Sequence, residues 1–263
     1  WDNNSGHDYS WSTVFPFIGP HLSWTNPNVD RRAIAVSMRL QESRPVDLRY
    51  WRKGENPRTV RTATAALAHT LVLEDLIPES EYLYQIADGR RTSAEFTFTT
   101  PALVNNTRRV KFIVVSDIQD NGDTGQSRSV AEEILRNHAD VEFILIAGDI
   151  AWNDEPGLWW TFFDNWSQVL ARIPVIPVIG NHDTPGVDSH PDSSHFFRYF
   201  PQPFARASLN RREFFAFTYG LLAVFGLNSE KPEEFAVGGQ QYNWLHHELG
   251  QTTDEAWRLA YWH

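Results

Sequence analysis

The sequence predicts two units in series, an N-terminal all-β sandwich over residues 1–105 and an α/β domain over residues 106–263. Three observations carry that expectation. The chain has 263 residues, more than the about 100–200 of one ordinary domain. Its first part is made of short stretches with period-2 alternation. Its second part alternates continuous apolar runs with helical stripes. The two styles meet at "TTPALVNNTRR", residues 99–109.

In the first unit, strands are expected at "AIAVSMRL", "VDLRYWRKG", "TLVLEDL", "EYLYQIADG" and "AEFTFTT". Alternation is clearest from Glu95 to Thr99, and "ADGR" signals a hairpin. Several such strands in succession argue for a sandwich.

In the second unit, "RVKFIVVSD" and "VEFILIAGD" read as strands covered on both faces. Between them "SVAEEILRNH" reads as a helix, with Ser129 and Glu132 in capping-box spacing. "GLWWTFFDNWSQVLARI" forms one broad helical stripe through Leu158, Trp159, Phe162, Phe163, Trp166, Val169 and Leu170. "PVIPVIGNHD" is a third strand. Strand, helix, strand, helix, strand predicts a parallel sheet with right-handed crossovers.

Composition sets outer limits. Hydrophobic content of 41% and charged content of 21% suit an ordinary globular protein, and eleven tryptophans imply large packed cores. A net charge of −10 argues against non-specific nucleic-acid binding. The absence of cysteine excludes disulfide and thiolate chemistry. No apolar run reaches the about 18 residues of a membrane span. A start at Trp1 rather than methionine suggests a processed or truncated product.

The polar residues at the strand ends carry the chemistry. Asp117 and Gln119 follow the first strand, Asp149 ends the second, and Asn181 and His182 end the third. Asp117 to Asp149 is 32 positions, and Asp149 to Asn181 is 32 again. One strand–helix–strand unit takes about 30 residues. All of these residues are therefore expected at the carboxyl edge of neighbouring parallel strands, where open α/β sheets place ligands. Oxygen donors gathered there without Lys or Arg repel one another unless a cation sits among them. Oxygen and imidazole ligands without thiolate point to manganese, iron or zinc.

Taken singly, Asp117 or Asp149 reads as readily as a helix cap. Taken with Asn181 they read as metal ligands. His190 and His195 read as solvated loop residues or substrate contacts, and His246 and His247 as surface or packing residues of a helix. Asp154 reads as a cap of the Trp-rich helix or as a residue orienting His182. Sequons stand at Asn3, Asn105 and Asn165.

"SDIQ…GDIAWND…GNHD" is similar to the first three metal-binding motifs of the calcineurin-like metallophosphoesterases, whose first motif takes an Asp-x-Gln form in some branches. Other stretches resemble the purple acid phosphatase branch: "FFAFTYGLLAVFGLNSE", residues 214–230, and "QQYNWLHHEL", residues 240–249. That branch places a fibronectin type III-like domain first, and "LEDLIPESEYLYQI" resembles its tyrosine corner, with Tyr82 as the corner residue and Leu76 and Pro78 leading in.

The resemblance implies an α/β/β/α-sandwich phosphoesterase domain. It implies hydrolysis of a small phosphorylated substrate by a dinuclear metal-hydroxide mechanism, in a secreted or periplasmic protein. It assigns Asp117 and Gln119 to the first metal, Asp149 to a bridge between both, and Asn181 to the second metal. His182 becomes a donor to the phosphoryl oxygen or leaving group, and His263 a further metal ligand. A phosphomonoesterase of the acid phosphatase kind is expected; a phosphodiesterase, a nucleotide diphosphatase or a catalytically decayed binding protein are the alternatives.

Two departures bear on this. Trp152 stands where purple acid phosphatases have an iron-binding tyrosine; an indole has no lone pair to offer, which favours manganese or zinc. The family's closing Gly-His-x-His motif does not occur before His263, so the domain is expected to be C-terminally truncated.

Overall fold

The computed structural model describes residues 18–25, 32–101, 109–120, 125–184, 194–200, 206–207, 213–251 and 257–263. Asn3, Asn105, His190 and the expected junction near residue 105 lie outside the described residues.

Strands β1 (Ile18–Ser23), β2 (Ile34–Arg44), β3 (Asp47–Arg52), β4 (Arg58–Arg61), β5 (Ala66–Leu73), β6 (Glu81–Ala87) and β7 (Phe96–Thr99) come first. They form two antiparallel sheets, ordered β1-β2-β5 and β4-β3-β6-β7. Alternation decides which side chains face inward: along β6, Tyr82, Tyr84 and Ile86 are buried while their neighbours are not. These pack on Val36, Met38, Leu48, Leu71, Leu73 and Phe98 between the sheets. The tyrosine corner is present, with the Ile77 N–H donating to the Tyr82 hydroxyl at 2.9 Å and Leu76 buried beneath. The result is a fibronectin type III-like sandwich.

Strands β1 and β4 went unrecognised in the sequence. Gly19 and Pro20 disguise β1, and β4 is four largely exposed residues with little burial pattern to read.

The second unit continues with β8 (Phe112–Val115), α1 (Gln126–Asn137), β9 (Phe143–Ala147), α2 (Pro156–Asn165), α3 (Ser167–Leu170) and β10 (Val175–Val178). Then come α4 (His195–Tyr199), β11 (Arg206–Ala207), β12 (Phe215–Tyr219), β13 (Leu222–Gly226), α5 (Pro232–Phe235), α6 (Gln240–Gln251) and β14 (Trp257–Tyr261). A parallel sheet is ordered β10-β9-β8, and a mixed sheet is ordered β11-β12-β13-β14.

The alternation of β9 explains the layering. Ile144 and Ile146 face the helices, packing with Trp159, Phe162 and Trp166. Phe143 and Leu145 face the second sheet, packing with Phe215, Phe217, Tyr219 and Val224. On that sheet's far side Ala223 and Phe225 meet Trp244 and Leu245 of α6. The order of layers is α/β/β/α.

Three expectations need correction. The first helix begins at Gln126 behind Gly125, and no side chain caps it. Ser129 lies inside it and returns its hydroxyl to the Gly125 carbonyl at 2.9 Å, so the capping box does not form. The Trp-rich stripe is two helices, because Trp166 leaves the helical ψ (φ −99°, ψ 3°). Asn165 and Trp166 there donate to Asp120 and to Ser127, at 3.0 and 2.9 Å. That contact also buries the Asn165 amide, closing its sequon in the folded chain. Finally, β9 is covered on both faces but β8 is not. β8 flanks only β9 among the described strands, and Val114 is 51% exposed.

Strand β1 and the tryptophan that follows it join the two units. Ile18 enters the helix-side core and Trp24 the inter-sheet core, while Tyr84 of β6 donates to the Ala171 carbonyl at 2.8 Å. His21 packs between Phe163 and Phe200, its Nδ1 without a hydrogen-bond partner. Burial lowers its pKa from 6.5 to about 4. The neutral ring suits the fold, whereas the unfolded chain protonates it more readily. Its stabilising contribution is therefore complete above pH 6.5 and is lost as pH falls toward about 4. At about 1.4 kcal/mol per pH unit this amounts to roughly 3 kcal/mol. Urea unfolding at pH 4.5 and pH 7 should show His21→Phe losing clearly less stability on acidification than the unaltered protein. Equal losses would remove His21 as the source.

Candidate metal centre

The three parallel strands deliver their last residues to one edge through unusual backbone. Asp117 and Asp149 both adopt left-handed conformations, with φ of 54° and 55°. Non-glycine residues with positive φ are uncommon and gather at functional sites. Backbone bonds lock the two turns together: Asp117 N donates to Gly148 O at 3.3 Å, and Gln119 N to Asp149 O at 3.1 Å. Neither aspartate caps a helix, since Gly125 and Glu155 precede α1 and α2.

Asp149 is buried at the centre. Its Oδ2 accepts from Gln119 Nε2 at 3.0 Å, and its Oδ1 from the His182 backbone N–H at 3.1 Å. His263 reaches the same place from the end of β14, with Nε2 3.4 Å from Asp149 Oδ1 and 3.0 Å from Asn181 Oδ1. One ligand atom each of Asp117, Asp149 and His263 lie within 4.8 Å of one another. The structure thus brings together Asp117, Gln119, Asp149, Asn181, His182 and His263.

Two glycines make this approach possible. A Cβ on Gly148, which has φ 77°, would stand 2.6 Å from the His263 Cβ, and a Cβ on Gly180 would overlap the Asp149 carboxylate and amide. The sequence carried that signal in "AGD" and "IGN", but periodicity does not expose it.

The donor set fits a cation. The Nδ1–H of His263 donates to the Ala147 carbonyl at 3.1 Å, which leaves Nε2 as a lone pair facing two oxygens. A backbone carbonyl behind a histidine in this way is the usual support of a metal-ligating imidazole. The buried Gln119 Oε1 has no hydrogen-bond partner. No Lys or Arg pairs with Asp117 or Asp149 among the described residues. A buried acceptor left unsatisfied costs about 1–3 kcal/mol, and a cation answers all three deficits at once.

His182 is held differently. Its Nδ1 donates to the Trp152 carbonyl at 2.5 Å, and its ring lies against the Trp152 indole. Nε2 is therefore left facing the site, 4.0 Å from Asp149 Oδ2.

Asp183 was missed by the sequence reading. Fully buried, it accepts from Ile150 N, Ala151 N and Gly180 N at 2.9, 3.0 and 2.9 Å, tying the Asp149 turn to the Asn181 turn. Burial pushes its pKa up to about 7, against the pull of the three backbone donors. Asp154 neither caps α2 nor touches His182. It accepts from Trp159 Nε1 at 2.9 Å and from the backbone N and Nδ1 of His195 at 3.0 and 3.1 Å. His195 is consequently a partly buried α4 residue rather than a solvated loop histidine. His246 and His247 lie exposed on α6.

The family model described as calcineurin-like phosphoesterase matches residues 110–263. This chain belongs to that family. A probable cyclic nucleotide phosphodiesterase of Rhodopseudomonas palustris is 43% identical over 53 residues, which are 19% of this chain and 18% of that protein. In fold, the calcineurin-like chain is similar to purple acid phosphatase PPD1 from yellow lupin seeds. That match has a TM-score of 0.70 at 15% identity over 94% of this chain and 51% of the lupin protein. PhoD is similar at a TM-score of 0.65 and 14% identity, over 94% of this chain and 62% of PhoD. The chain thus spans about half to three fifths of the solved relatives it matches. No described helix is long and apolar enough to cross a membrane.

Proposed function

We infer that this calcineurin-like chain hydrolyses small phosphoric monoesters at a dinuclear metal centre. The observation that carries the reading is the cluster of Asp117, Asp149 and His263 within 4.8 Å, beside a Gln119 oxygen that lacks a partner. When bound, the metal ions supply positive charge to the phosphoryl oxygens and acidify water at neutral pH.

The chain's own residues do the rest. Asp117 and Gln119 would hold one cation and Asn181 and His263 the other, and Asp149 would serve both. Manganese or zinc suits these oxygen and imidazole donors, since Trp152 offers no phenolate for iron. His182, its Nδ1–H anchored on the Trp152 carbonyl, turns Nε2 toward the substrate. With both ring nitrogens protonated, Nε2 donates to a phosphoryl oxygen or to the leaving-group oxygen. His182→Ala should lower turnover by about 10²–10⁴-fold while metal content per chain stays unchanged. Loss of metal from that variant would make His182 a ligand instead.

One observation favours a second reading. The relative with 43% identity is a probable cyclic nucleotide phosphodiesterase, and an Asp-x-Gln first motif is compatible with diester hydrolysis. Assays with mono- and diester model substrates in the presence of manganese, zinc or iron separate the two. Diester turnover above monoester turnover would replace the first reading by the second, and turnover of neither would overturn both.

A further inference from the structure

We propose that Trp152 selects the leaving group, favouring esters whose leaving group carries a flat aromatic ring of the nucleoside or aryl kind. This rests on the hydrolase reading above and adds a specificity residue to it.

Trp152 sits in the loop between β9 and α2, three positions after Asp149. Packing does not explain its size. Trp159 and Trp166 are fully buried, but Trp152 keeps 36% of its surface exposed. Ligation does not explain it either, because an indole has no lone pair for a metal.

Its two contacts with His182 separate what the residue does from what the side chain does. The carbonyl accepts from His182 Nδ1 at 2.5 Å, and any residue at this position would provide that oxygen. The indole is a different matter. It lies beside the imidazole with ring centroids 4.8 Å apart and planes tilted by 34°, and it remains partly in solvent at the rim.

His182 presents Nε2 to the ester oxygens, so the group attached to the leaving oxygen passes alongside that exposed indole. A flat ring arriving there finds a stacking partner, since aromatic pairs associate at centroid separations of about 4.5–7 Å. Truncating such a base-stacking aromatic to alanine commonly weakens binding by about 5- to 150-fold. An aliphatic leaving group, or inorganic phosphate, gains little from the same surface.

The test is calorimetric titration of the manganese-loaded chain with AMP, in a phosphonate form whose methylene bridge cannot be hydrolysed, and with inorganic phosphate, for the unaltered protein, Trp152→Ala and Trp152→Phe. The expected result is that Trp152→Ala weakens AMP about tenfold or more and leaves phosphate unchanged, with Trp152→Phe recovering most of the AMP affinity. Parallel losses for AMP and phosphate would show that the indole acts only through His182 and would overturn the assignment. So would an unchanged AMP affinity. Failure of the unaltered protein to bind either anion would instead bring down the hydrolase reading, and the assignment with it.

Discussion

Asp149→Ala is expected to abolish metal binding and to reduce turnover by well over the about 10–100-fold seen when only an outer support of a metal site is lost. Three other residues of the site meet this carboxylate. Gln119 and the His182 backbone donate to it, and His263 Nε2 stands 3.4 Å away. The side chain has almost no access to solvent, so no water can take over its position as a ligand without rearrangement. Asp149→Asn keeps the shape and removes the charge, so it separates electrostatic loss from local collapse. Both variants should emerge from gel filtration with little metal by elemental analysis. Two equivalents retained in Asp149→Ala would sink the bridging assignment.

The second large effect is on stability. Asp183→Ala removes the acceptor of three backbone N–H groups in a fully buried place. Each orphaned donor costs about 1–3 kcal/mol, so the three together should cost at least about 3 kcal/mol, a large part of the about 5–15 kcal/mol that holds a typical domain. The same change unties the Asp149 turn from the Asn181 turn, so metal affinity should fall along with the urea midpoint. Asp183→Asn retains one acceptor oxygen but turns an amide donor toward a backbone donor, and should fall between the two. A loss below about 1 kcal/mol for Asp183→Ala would mean that water replaces the carboxylate, contrary to its burial.

Side-chain periodicity is a local property, and it made both units legible. Alternation in β6 and the unbroken apolar run of β9 identify strands before any contact is known. The equal spacing of Asp117, Asp149 and Asn181 places them on one sheet edge, where the structure gathers them. Helix boundaries were less legible. Ser129 and Glu132 have the right spacing for a capping box, but the helix extends one turn earlier than that signal, and spacing cannot reveal this.

The amino-acid sequence by itself determined the two-unit order, the parallel strands and the set of oxygen donors at their ends. These follow from residue type and period, which need no partner to be read. Only the tertiary structure decided how that edge becomes a site. His263, already expected from the family resemblance, finds its place because Gly148 leaves room for it. The Trp152 carbonyl turns the His182 ring, and Asp183 ties two turns together from beneath. Backbone oxygens carry no residue identity, and close approach depends on how distant strands pack, so neither is written in local pattern.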